Sequence, residues 1–101
     1  MKRFLLIFFI IIFNNKSFAD DQISLGSEIY NNKAQCSACH TLEEAGSEGQ
    51  IGPNLDRLKP KLEQIITAVT NGIGVMPGFE GVLTYDEIDA VANYVFISTN
   101  K

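Results

Sequence analysis

The chain has 101 residues, with 8 Lys+Arg against 12 Asp+Glu, one His, two Cys, two Met and no Trp. That length holds one small domain. The acidic balance excludes nucleic acid as a natural partner, because its backbone demands a basic surface.

Phe4 to Phe13 form an unbroken apolar run of ten, half of the roughly 20 residues that span a bilayer as a helix. Lys2 and Arg3 precede it, and Ser17-Phe18-Ala19 places small residues three and one before a cut after Ala19. A basic start, an apolar middle and a small-residue site read as a secretory signal peptide, residues 1–19, cleaved from a mature domain of 20–101. An uncleaved membrane anchor is the alternative, and the polar Asn14-Asn15-Lys16 is what favours it. Cleavage leaves 82 residues carrying 5 basic and 12 acidic side chains, a formal −7. Such a surface suits solubility and steering toward basic partners. A core this small leans on a disulfide, a metal or a cofactor. Cys36 and Cys39 are the only cysteines, and bridging them closes a loop too short to gain much unfolded-state entropy. Their chemistry therefore lies elsewhere than in stapling.

In the mature chain, Ser24 is expected to cap a short first helix on which Leu25/Ile29 and Gly26/Tyr30 make two pairs four apart. Residues 41–58 hold Gly46, Gly49, Gly52 and Pro53 and read as an irregular loop. Pro60 suits the first turn of the next helix, whose stripe is Leu62, Ile65, Ile66 and Val69, and Asn71-Gly72 stops it. Residues 72–81 contain four glycines and a proline and form a second loop. Thr84 and Glu87 spell a capping box ahead of the stripe Ile88, Val91, Ala92 and Val95. No stretch alternates as a strand does. The fold class is all-α: three to four helices with two long loops. Loops of that length in a compact domain are usually functional or disordered. Both carry apolar residues, Ile51 and Leu55 in one, Val75 and Phe79 in the other, suited to wrapping an apolar object the chain does not itself supply.

Cys36-Ser37-Ala38-Cys39-His40 is C-x-x-C-H, the spacing of c-type haem attachment. Two thiols a helical turn apart can each add to one haem vinyl group, and the adjacent His is then held under the ring with a nitrogen on the iron. A thioredoxin-like pair belongs in a βαβ context that this pattern lacks. Zinc needs four ligands, and the mature chain offers three Cys or His. A purely structural motif is the remaining rival. His40 is the only histidine, so a second His ligand from the same chain is impossible, and after cleavage Met76 is the only thioether. Met76 lies in the glycine loop, off any helical stripe, where core filling explains it poorly. It is the expected second axial ligand; an open position or an Asn, Lys or Tyr ligand are the alternatives. His/Met ligation raises the haem potential, which suits electron transfer.

Taken in order, Gly26 with Tyr30, C-S-A-C-H, Ile51-Gly52-Pro53-Asn54-Leu55, Met76-Pro77-Gly78-Phe79 and Glu87 to Val95 resemble a class I c-type cytochrome, of the small bacterial monohaem kind similar to cytochromes c5, c6 and c551. The likeness covers about Ser24 to Ser98. It implies a cytochrome c fold wrapped around one covalently bound haem c with its iron. It implies that Pro53 offers its carbonyl to the His40 ring N–H, that Leu55 lies against the haem, and that Gly26 lets the first helix cross the last near Tyr94. Gly78 stands where relatives often have Ala or Pro, a departure expected to loosen the Met76 loop.

The function expected is that of a soluble periplasmic one-electron carrier, a monomer and not an enzyme, since no general base, nucleophile or second metal site accompanies the motif. Its partners are a redox donor and acceptor with a basic docking face, approached by the rim residues Glu43, Glu44, Glu48 and Glu80. It meets a membrane only transiently, or through an uncleaved N-terminus. The rivals are a haem c subunit of a periplasmic oxidoreductase complex and a gas-binding or sensing cytochrome.

Overall fold

A computed structural model describes residues 18–101 of the chain. Of the expected signal segment, residues 1–17 lie outside the described residues, while Phe18 and Ala19 form the exposed start of helix α1 (Phe18–Glu28). Three more helices follow: α2 (Leu55–Leu58), α3 (Leu62–Asn71) and α4 (Tyr85–Thr99). The described residues are mostly helical, as the periodicity predicts. Their only ladder is an antiparallel pair of two-residue strands, β1 (Thr41–Leu42) and β2 (Ser47–Glu48).

Helix α1 differs from expectation at its start. Ser24 does not cap it but sits exposed inside it, with Asp20 and Asp21 ahead of it on the same helix. The chain leaves α1 through one π-helical turn, Ile29–Lys33, which buries Ile29 and Tyr30. Lys33 then reaches across to the Glu87 carboxylate on α4.

The frame is the crossing of α1 and α4. At Gly26 an added Cβ would collide with the Ala90 carbonyl and come 2.6 Å from Tyr94 Cβ, so only a missing side chain permits this approach. Beside it the Tyr30 and Tyr94 rings meet at 5.7 Å between centroids, tilted by 54°, a favourable aromatic geometry. The predicted α4 stripe of Ile88, Val91, Ala92 and Val95 is buried, joined by Ala90 and Tyr94. The capping box forms: Glu87 N–H donates to Thr84 Oγ1 at 3.1 Å, and Thr84 N–H to Glu87 Oε1 at 3.0 Å. Lys33, with the Thr84 N–H, holds the Glu87 carboxyl below the usual carboxylate range.

Helix α3 packs Ile65 and Val69 inward and ends at Gly72. Pro60 is buried one residue ahead of its N-cap, Lys61, rather than within the first turn. The Lys61 N–H is taken by Gln64 Oε1 at 3.0 Å.

Candidate functional site

Each long loop carries one side of the site. The first, expected to be irregular, contains the β1–β2 hairpin, a 3₁₀ turn at Glu43–Ala45 and the single-turn helix α2. Asn54 caps α2 by accepting the Arg57 N–H at 3.2 Å. Leu55, its first residue, is buried in the core.

Cys36 opens a 3₁₀ turn, Cys36–Ala38, entered through Gln35 in the left-handed region (φ 54°). The His40 N–H donates to the Cys36 carbonyl at 3.0 Å, so the motif folds back into one tight turn. Both cysteines are free thiols of intermediate exposure. Cys36 packs against the core, and burial pushes its thiol up to about 11.

His40 is buried, and its Nδ1 lies 2.8 Å from the Pro53 carbonyl oxygen. A carbonyl only accepts, so Nδ1 must carry the proton. In the neutral ring Nε2 then keeps its lone pair, and among the described residues no hydrogen bond is made to it. A ring fixed in this tautomer by a backbone acceptor is the arrangement of a metal-ligating histidine. Beneath it, the Tyr30 hydroxyl lies 2.9 Å from Ser47 Oγ and 3.4 Å from the His40 carbonyl. Burial pushes the Tyr30 phenol up to about 12.

Met76 enters on the second loop, half-buried against the same core. Ile73 and Met76 exchange both backbone hydrogen bonds, at 3.1 and 2.9 Å, around Gly74-Val75. The Phe79 and Glu80 N–H groups donate to the Val69 and Thr70 carbonyls, tying the loop to the end of α3. Gly78 belongs to that tie: a Cβ there would stand 2.8 Å from the Asn71 carbonyl carbon and oxygen. The position expected to loosen this loop is one at which it lies against the end of α3. Among the described residues no hydrogen bond joins Met76 to the His40 group. Val75 at the tip is 89% exposed and Ile73 69%.

The residues fit haem c. Two free thiols and one tautomerically fixed imidazole share a single turn, and that imidazole sits in a cradle with no room for a Cβ: one on Gly52 would come within 2.6 Å of His40 Cε1. Sequence reasoning missed this contact and the Tyr30–Ser47 pair. The glycine just before Pro53 was the only available signal for the first, and nothing in sequence placed Ser47 beside Tyr30. Among the described residues no group of three or more His, Cys, Asp or Glu could hold a bare metal ion.

Known proteins resemble the chain over most of its length. The family described as "Cytochrome C oxidase, cbb3-type, subunit III" matches residues 21–95. Cytochrome c6 of Microcystis aeruginosa is 35% identical over 80 residues, covering 75% of this chain and 96% of that protein. Cytochrome c6 of Leptolyngbya boryana is 38% identical over 84 residues, covering 75% and 92%. Among solved structures, the c-type cytochrome SorU from Sinorhizobium meliloti superposes with a TM-score of 0.76 at 50% identity, covering 81% of this chain and 95% of that one.

Proposed function

The chain belongs to the small class I c-type cytochromes, haem c electron-transfer proteins, and from that premise we propose that it is a periplasmic one-electron carrier with His40 and Met76 as axial ligands. The family implies one covalently bound haem c; Cys36 and Cys39 would hold it by thioethers. When bound, that group supplies a one-electron redox centre. The protein's own residues do the rest. Pro53 holds the His40 proton on Nδ1 and presents Nε2. The second loop brings forward Met76, a soft thioether suited to raising the potential. Leu55 and the half-buried Phe79 contribute apolar surface that keeps water from the centre.

The observation that carries this reading is the 2.8 Å contact between His40 Nδ1 and the Pro53 carbonyl. His40→Gln is expected to abolish the low-spin spectrum of the holoprotein; an unchanged spectrum contradicts it. Met76→Ala is expected to remove the weak methionine-to-iron(III) band at the red end of the visible spectrum and to lower the potential. A wild-type protein without that band speaks for the gas-binding rival.

Export rests on the segment 1–19. No described helix is long and apolar enough to cross a membrane, and the carrier is proposed to act as a monomer, in passing contact with a donor and an acceptor. A second reading, a haem c subunit of an oxidoreductase complex, is favoured by the oxidase-subunit description of the matching family. Against it, the cytochrome c6 relatives are matched over nearly their whole length. Co-purification of a stoichiometric partner with the native protein decides for the subunit.

A further inference from the structure

We propose that Gly52 is a positioning residue for His40, fixing the rotation of the imidazole by packing bare backbone against the ring. This rests on the reading of His40 as an iron ligand. The segment Ile51–Pro53 grips the histidine turn at three points. The Gly52 N–H donates to the Cys39 carbonyl at 2.7 Å, and the Pro53 carbonyl accepts from His40 Nδ1 at 2.8 Å. Between those bonds, a Cβ on Gly52 would stand 2.6 Å from His40 Cε1, 2.8 Å from Nδ1 and 3.0 Å from Nε2.

All three atoms belong to the imidazole, so the closest neighbour is the ring itself and not its backbone. Gly52 does not occupy the left-handed region, so an alanine meets the ring first and carries no left-handed backbone strain. The Pro53 bond alone leaves the ring free to tilt about the line from Nδ1 to its acceptor. Contact over the ring atoms removes that freedom. An added methyl must rotate the imidazole, lengthen the Pro53 bond, or lift the loop from the Cys39 carbonyl. The first two change the ligand plane or the basicity of Nε2, because an outer partner tunes the ligand it holds.

The test compares Gly52→Ala with Gly26→Ala in the haem-loaded protein. Gly26 also excludes a side chain, but its neighbours are Ala90 and Tyr94 and not the histidine. Proton NMR of the oxidised protein reads the ligand-plane orientation in the order and spread of the haem-methyl shifts. Gly52→Ala is expected to reorder those shifts and to move the reduction potential. Gly26→Ala is expected to lower the melting temperature with the shift order kept. A wild-type shift order in Gly52→Ala overturns the proposal, and so does equal reordering in both variants, which marks a general structural effect. If Gly52→Ala does not mature, the reduced wild-type protein decides through the nuclear Overhauser contact between Gly52 Hα and His40 Hε1: its presence supports the packing and its absence overturns it. A His40→Gln variant with an unchanged spectrum removes the ligand reading and this proposal together; wild-type shifts in Gly52→Ala alone remove only the proposal.

Discussion

The two long loops hold their ligand candidates by different means. Residues 41–58 are fastened by side chains and backbone together: the His40 ring to Pro53, Thr41 Oγ1 to the Gly49 carbonyl, Tyr30 to Ser47, and Glu43 N–H to the Asp56 carboxylate. Among the described residues the hydrogen bonds of residues 72–83 are all backbone, among themselves and to the last turn of α3; Met76, Phe79 and Leu83 pack on the core, and the tip is open to solvent. The histidine side is built by the protein in advance. The methionine side has fewer bonds to break, so it is the side expected to open first.

The largest effect comes from removing what both loops surround. Cys36→Ala/Cys39→Ala is expected to lose most of its helical circular dichroism, because the bound haem supplies much of the apolar surface the loops bury. Native-like helix in that double variant would break the comparison at its base. Next, Gly26→Ala strikes the helix crossing beneath both loops. Overpacking there is expected to cost about 1–3 kcal/mol in denaturant melts, with ligation unchanged.

Tyr30→Phe tests the histidine side alone. Losing the Ser47 hydrogen bond is expected to cost about 1 kcal/mol at neutral pH. The native phenol titrates near 12 while an unfolded tyrosine titrates near 10. Burial, and not the Ser47 bond, raises the native value. Above pH 10 the unfolded state therefore releases its proton first, and the stability tied to the buried neutral phenol is intact below pH 10 and drains as pH rises toward 12. Stability against pH in the Phe variant should lack that alkaline slope, and an identical slope contradicts the assignment.

The smallest effect concerns docking. Reversing Glu43, Glu48 or Glu80 is expected to slow association with a basic redox partner and to flatten its salt dependence, with the potential unchanged. Glu44, already paired with Lys101, is expected to matter less. Stopped-flow rates against ionic strength would show whether the histidine loop or the methionine loop faces the partner.

How much of this was legible in sequence differs between the same regions. The α3 and α4 stripes and the Thr84 capping box are local, and the periodicity gave them correctly. Gly26 was legible because one residue without a side chain, four before a buried tyrosine, carries a strong meaning in this family. The β1–β2 hairpin and α2 were not, since two-residue strands and a single turn are too short for any period to register. The cap expected at Ser24 does not form: Ser24 is a good cap by type, but the helix already runs through it. The contacts around His40 are non-local: Gly52 meets a ring twelve residues away in sequence, and no pattern reports such a meeting.

The central claim is that Cys36 and Cys39 carry one haem and that the chain is exported to receive it. Intact-mass measurement of the protein from its native compartment, after acid–acetone extraction, tests it directly. The mass of residues 20–101 plus one haem is the predicted result. A mass without haem, or one lowered by a Cys36–Cys39 disulfide, would contradict it.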